Sequence, residues 1–251
     1  SDDATAVVNL DDVQLRVQST RHTGPQVTFG HHASAQIRLG GIENRYLPGA
    51  TLIFVHEGKS RRVQLRIGGA FAAQNALAAI SLAIARGVQL PLAAQALQGF
   101  QPVDGRQQFV KGVRGSTLIN DSYNANPNSL SVAVRVLCSL PGEHWLALGD
   151  MAELGDDAAA LHKRAASEAR EAGVAKLFAL GELSCQAASE FGASGFCFAS
   201  HDEMARSIEQ QINSNVVLLI KGSRSAGMEK VVSLLSQQSS NNRPSGVSHA
   251  V

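Results

Sequence analysis

The chain has 251 residues, 22 Lys plus Arg against 21 Asp plus Glu, and a net charge of +1, so it carries no basic footprint for nonspecific nucleic-acid binding. Charged residues are 17% and the hydrophobic fraction 44%, which fits a globular protein of one large or two modest domains and argues against disorder. No apolar run approaches the ~20 residues of a spanning helix, and the opening SDDATAVVNLDD has neither the basic start nor the apolar middle of a signal peptide, so membrane insertion is not expected.

From Ala6 to Ile67 the pattern is short and β-like, in the segments AVVNL, QLRVQS, QVTFG, ASAQIRL, ATLIFVHEG and RRVQLRI. Apolar and polar residues alternate in several of them, as in half-buried strands, and EGKS reads as a hairpin connection. FAAQNALAAISLAIARG then predicts an Ala/Leu-rich helix closing at Gly87, and LPLAAQALQGF a second with Pro91 near its start.

After Gln101 the pattern changes to strands separated by helices: STLINDSYN, a helix over 127–140, HWLALGD, a helix over 157–172, AKLFALG, ELSCQAASEFG, GFCFAS, HDEMARSIEQQI, NVVLLIKG and AGMEKVVSLLSQ. This alternation predicts a parallel sheet with right-handed crossovers. The boundary falls near QPVDGRQQ, and the tail QQSSNNRPSGVSHAV, polar and without periodicity, reads as disordered. Three widely spaced cysteines (Cys138, Cys185, Cys197) with no CxxC pair argue against a disulfide framework and predict buried, unpaired thiols of a reducing cytoplasm. Adjacent His31 and His32 and the lack of HxH or HxxxH spacing argue against a metal site built within the chain.

Ligands of open α/β sheets sit beyond the carboxyl ends of the strands. Those ends carry NDSYNAN, GDMAELG, GE and KGSRSAG, where polar residues have no packing role. In KGSRSAG the small residues leave backbone amides free at a helix start, and Lys221 and Arg224 add charge suited to a carboxylate or phosphate; a capped helix start with solvated cations competes. Asp150 fits acid–base, amine or metal chemistry, or a cap on the segment that follows. Asn126 before Pro127 has the competing role of an N-cap. Neither a G-x-x-x-x-G-K-[ST] loop nor a GxGxxG occurs.

Taken together, DGR, NDSYNANP, LGDMAELG and KGSRSAGMEKVV, in this order and spacing, resemble the Mur ligase family of peptidoglycan synthesis, over roughly residues 5–236 and most strongly over 101–230. VVNLDD, QVTFG and QNALAA resemble the later half of that family's central ATPase domain. The resemblance implies an α/β chain with a partial, β-rich central domain over 1–104, a C-terminal Rossmann-like ligase domain over 105–237 and a tail over 238–251. It also implies a fragment lacking the UDP-sugar domain and the P-loop half of the ATPase domain, inactive on its own.

The implied reaction is ATP-driven amide formation through an acyl phosphate, joining D-Ala-D-Ala to a UDP-N-acetylmuramoyl-tripeptide with Mg2+, in a cytoplasmic enzyme that is monomeric at full length. A non-catalytic binding module and a folylpolyglutamate synthase-like ligase are the alternatives. By resemblance Asn75 contacts adenine, Arg106 lies near the phosphates, and Asp121 binds the ribose with Tyr123 and Asn126 on the same loop. Asn124, Asp150, Glu153, Lys221, Ser223, Arg224 and Ser225 line the acceptor side. Arg106, Lys221 and Arg224 are the expected catalytic cations, and the metal ligands fall outside the chain. One departure stands out: Phe71 and Ala72 replace the family's His and first Asn before ALAA.

Overall fold

In a computed structural model the described residues are 4–43, 49–66, 70–101 and 103–237, with 70 and 71 described by backbone alone. The proposed disordered tail over 238–251, the Phe71 side chain and Ile67 at the end of RRVQLRI lie outside them. The chain divides into two compact units, residues 1–102 and 103–251.

The first unit contains β1 (Ala6–Asn9), α1 (Val13–Ser19), β2 (Gln26–Gly30), β3 (Ile37–Glu43), β4 (Thr51–His56), β5 (Lys59–Gln64), α2 (Ala70–Ala85) and α3 (Leu90–Gln98). Its five strands lie in sequential order, parallel from β1 to β3 and antiparallel from β3 to β5. β4 and β5 turn through Glu57 and Gly58, both at positive φ (50° and 71°), as a two-residue hairpin requires. α2 and α3 cover the sheet face that carries Ile37, Leu52, Phe54 and Val63.

One expected strand is absent. QLRVQS forms α1 instead, because the Asp12 carboxylate accepts the backbone N–H groups of Gln14 and Leu15 (2.8 and 2.9 Å) and so nucleates a capped helix. The alternation that suggested a strand has no buried face to serve: Val13, Leu15 and Val17 are 60%, 45% and 58% exposed.

The second unit comprises β6 (Gln108–Lys111), β7 (Thr117–Asp121), α4 (Pro127–Cys138), β8 (Glu143–Gly149), α5 (Ala158–Glu171), β9 (Lys176–Leu180), α6 (Glu182–Phe191), β10 (Gly195–Phe198), α7 (His201–Gln211), β11 (Val216–Lys221) and α8 (Glu229–Leu235). The sheet order is β10-β9-β8-β11-β7-β6, with β7 to β11 parallel and β6 an antiparallel edge. β6 was not anticipated; it has two apolar residues and joins β7 through a short turn, too little pattern to separate it from a loop.

Alternate residues of the central strands enter two different cores. Ile119, Leu146, Leu148, Val217 and Leu219 meet α4, α5 and α6, whereas Leu118, Trp145, Ala147, Leu218 and Ile220 meet α7 and α8. The sheet is therefore buried on both faces, and its strands read as continuous apolar runs for that reason. β11 inserts between β8 and β7, and the chain leaves β7 and β8 toward one face but β11 toward the other. This is a topological switch point, the place beyond the strand ends where open α/β sheets bind their ligands.

The cysteine expectation is corrected. Cys185 on α6 and Cys197 on β10 form a disulfide with Cα atoms 5.0 Å apart, Cys197 is exposed, and the free Cys138 is half-buried. The 12-residue spacing carried no motif, but α6 folds back beside β10 and brings the two sulfurs together.

Candidate functional site

The rim at the switch point is built on strand register. Lys221, the last residue of β11, pairs in parallel register with Asp121, the last of β7. Their side chains meet as an ion pair of 2.6 Å with only 3% and 12% exposure. The Lys221 ammonium also donates to the Asn124 carbonyl (2.8 Å), so one cation ties β11 to both ends of the loop after β7. The other Asp121 oxygen accepts the Gln107 N–H (3.1 Å). Burial pushes the Asp121 carboxyl above its ordinary value, against the smaller opposing pull of Lys221 and the Gln107 amide.

Around this pair the segment 104–108 docks onto the same loop. The Tyr123 N–H donates to the Gly105 carbonyl (3.0 Å), and the Asn120 side chain accepts the Ser122 hydroxyl (2.6 Å) while donating to Gln108 (3.3 Å). This docking sets the Arg106 guanidinium 4.2 Å from the centre of the Tyr123 ring, and Arg224 reaches toward the same ring at 6.0 Å. Two cations from segments more than a hundred residues apart thus share one half-exposed aromatic ring.

The loop after β11 is locked to the loop after β8. Ser223 donates both its N–H (3.0 Å) and its hydroxyl (2.6 Å) to the Asp150 carbonyl, and its oxygen lies 3.1 Å from that of Ser225. The approach requires glycines: a Cβ on Gly149 or Gly222 would lie 2.7 Å from Ala226 Cβ or Met228 Cγ respectively. Beneath it, buried His162 accepts the Met151 N–H at Nε2 (2.8 Å) and faces the Ala158 carbonyl with Nδ1 (2.7 Å), which fixes the neutral Nδ1–H tautomer.

These contacts sort the expected residues. Arg106, Asp121, Tyr123, Asn124, Lys221, Ser223, Ser225 and Arg224 come together at the switch point. Lys221 is committed to an internal pair, whereas the Arg224 side chain is 69% exposed, with a 3.7 Å contact to Glu229 and the Tyr123 ring at 6.0 Å. The Asp150 carboxylate takes the N–H groups of Ser184 (2.7 Å) and Leu183 (3.4 Å) and so caps α6, not the segment that follows it. Asn126 caps α4 in a reciprocal box with Ser129. Glu153 is exposed at positive φ (62°), and Asn75 is exposed on α2 in the first unit. Gln107, Asn120, His162 and Ser184 complete the scaffold. Of these only Asn120 stood in a motif; a backbone amide or a single histidine on a helix carries no signal in one sequence.

The second unit is thus a doubly wound α/β domain whose carboxyl-end rim brings two arginines, Arg106 and Arg224, to one tyrosine ring. Comparison with known proteins gives that description a family. A model described as "Mur ligase, glutamate ligase domain" matches residues 105–224 and one described as "Mur ligase middle domain" matches residues 1–83. The chain belongs to the Mur ligase family.

Among curated relatives, the UDP-N-acetylmuramoyl-tripeptide--D-alanyl-D-alanine ligase of Escherichia coli is 36% identical over 180 residues, 70% of this chain and 39% of that protein. The Mycobacterium tuberculosis protein of the same name is 29% identical, over 91% of this chain and 50% of its own length. Among solved structures, MurF from Acinetobacter baumannii superposes with a TM-score of 0.77 at 26% identity, covering 92% of this chain and 51% of that one. MurF from Thermotoga maritima, solved in complex with ADP, shares the fold at a TM-score of 0.79 and 19% identity, over 97% and 55%. The chain spans about half the length of these relatives or less.

Proposed function

We propose that this chain supplies the acceptor-side rim of a cytoplasmic, ATP-dependent amide ligase of peptidoglycan precursor synthesis. The enzyme joins D-Ala-D-Ala to a UDP-N-acetylmuramoyl-tripeptide through an acyl phosphate and is monomeric at full length. In this reading residues 1–104 belong to the central domain and 105–237 form the C-terminal ligase domain. The observation that carries it is the exposed Arg224 beside Arg106 on the Tyr123 ring, at a switch-point rim held rigid from within.

Each group then has a task. Arg224 grips the dipeptide carboxylate with two parallel hydrogen bonds, which orients the attacking amine. Arg106 offsets charge on the transferring phosphoryl group, and Tyr123 keeps both guanidiniums in place. The hydroxyls of Ser223 and Ser225, with Asn124 on the loop tied to Lys221, complete the acceptor side, to which the resemblance also assigns Glu153. Lys221 acts as a positioning residue, because its ammonium fixes Asp121 and Asn124 from inside. Asp121 and Asn126 shape the loop that meets the nucleotide, and Asn75 on α2 takes the adenine-contacting role that the family resemblance assigns to it.

Among the described residues no three His, Cys, Asp or Glu side chains gather, and in this reading the Mg2+ of the reaction is held by the part of the ATPase domain that this chain lacks. No described helix is long and apolar enough to cross a membrane. Because the sequence has no phosphate-cradling G-x-x-x-x-G-K-[ST] loop, the chain alone binds acceptor without releasing phosphate from ATP.

Calorimetric titration of D-Ala-D-Ala into the chain and its Arg224→Ala variant tests the reading. Loss of the charge-assisted pair should weaken binding by about 2 kcal/mol, roughly 30-fold. Unchanged affinity would remove Arg224 from the acceptor site and with it the central assignment.

A further inference from the structure

The second unit has another concave feature, on α6 and the edge strand β10. An open cleft of about 580 Å³ lies beside the Cys185–Cys197 disulfide, lined also by Glu182, Gln186, Ser189 and Phe198. Its volume is within the range of roughly 300–1,000 Å³ typical of small-molecule sites. The ligase reading uses none of these residues. Among the described residues β10 has a strand neighbour only on the β9 side, and Cys197 is exposed while Cys185 is half-buried. Cys197 is thus the more exposed residue of the pair, on the sheet edge, and a nucleophile arriving from solvent meets it first. Polar side chains of α6 (Glu182, Gln186, Ser189) facing the edge backbone of β10 suit a small peptide-like molecule better than a purely apolar one.

We propose that this cleft is a thiol-exchange site for a low-molecular-weight peptide thiol, with Cys197 the sulfur attacked. The incoming thiolate bonds to Cys197 Sγ, the Cys185–Cys197 bond breaks, and its electron pair leaves on Cys185 Sγ, which takes a proton from water. The products are a mixed disulfide on Cys197 and a free thiol on Cys185. A second equivalent of the same thiol attacks the added sulfur, releases its symmetrical disulfide and leaves both cysteines reduced. The link between α6 and the sheet edge is thereby set by the surrounding thiol–disulfide balance. The inference is independent of the ligase reading, since it rests on the exposure of Cys197 and the cleft alone.

The test uses the whole chain purified without reductant and glutathione as the probe. A thiol count before treatment should give one free thiol, Cys138. After brief exposure, acid quench and peptide mapping should place one glutathione on Cys197 and leave Cys185 open to alkylation. The exchange rate should saturate with glutathione concentration, as seating in the cleft requires. Ser189→Trp, which fills the cleft, should slow glutathione by about tenfold yet leave 2-mercaptoethanol nearly unaffected. Three free thiols at the outset, an adduct on Cys185, or a rate strictly linear in glutathione would each overturn the proposal. The mapping and the concentration series use the unmutated chain, so they decide the matter even if the tryptophan variant misfolds.

Discussion

Lys221→Met is the most informative single change, because it leaves the shape of the β11 strand end and removes only the ammonium. At 2.6 Å and an effective dielectric of about 20, the lost attraction to Asp121 is about 6 kcal/mol before solvation is counted. Burial already pushes the Asp121 carboxyl up, so without its partner the group sits in the interior as an uncompensated charge. Breaking such a pair from one side costs about 3–5 kcal/mol net, and that is the loss expected near neutral pH.

The pH dependence carries the sign. A carboxyl whose folded pKa lies above its unfolded value favours the folded state when protonated; that contribution is complete below the unfolded value, about 3.9, and fades as pH rises through the folded value. Removing the ammonium raises the folded value further, so acidification should restore the variant by up to about 1.4 kcal/mol per pH unit, more than the parent. Urea denaturation at pH 7.5 and 5, followed by the single tryptophan, Trp145, buried in the second unit, measures both terms. Adding Asp121→Leu should recover about 2 kcal/mol or more, since the stranded charge goes with it. A loss below about 1 kcal/mol, or one equal at both pH values, would refute the buried-pair account.

Three further changes probe the scaffold. Asn126→Ala removes the acceptor for the Ser129 N–H (2.8 Å) and should cost about 1 kcal/mol in the same tryptophan-monitored unfolding, with Asn126→Ser largely retaining the cap. Gly181→Ala places a Cβ 2.4 Å from Asp150 Cγ at a residue with φ of 106°, and should lower stability by about 2 kcal/mol or more in the same assay. In the first unit, burial pushes the Asp11 carboxyl up, but hydrogen bonds from the His31 ring and backbone and from the His32 backbone together bring it below its ordinary value. Its contribution is therefore present above about pH 3.9 and lost as pH falls through the lower folded value, so Asp11→Asn should destabilise by about 1–2 kcal/mol at pH 7 and less in acid, read by circular dichroism.

The second unit was largely legible because burial on both sheet faces leaves unbroken apolar strands such as NVVLLIKG, and five of its six strands announced themselves that way. Helix starts were equally plain at α4 and α7, which Asn126 and Ser200 cap, though not at α1, where the Asp12 cap went unread. The failures share one cause, an outcome decided by a partner distant in sequence or by a local bond that overrides pattern. β6 exists because β7 offers it an edge, and α1 exists because Asp12 closes its first turn. The disulfide needed the α6–β10 approach, which spacing alone does not reveal.

The rim makes the same point at finer scale. KGSRSAG and NDSYNANP placed Lys221 and Asp121 at strand ends, and that much followed from the strand–helix alternation; that the two ends are neighbours follows only from the observed strand order. Which cation faces a ligand did not follow from the alternation either, because Lys221 and Arg224 differ by only three positions in one loop. Register decides it: Lys221 ends the strand opposite Asp121 and is drawn inward, whereas Arg224 lies beyond Gly222 and Ser223, after the chain has turned away from the sheet. Asp150 shows the converse, a rim carboxylate taken up by the amides of a helix from the next crossover. A polar residue at a strand end is a ligand candidate only after its neighbours' unsatisfied backbone groups have been counted, and on that count Arg224 and Arg106, not Lys221, are the rim cations still available.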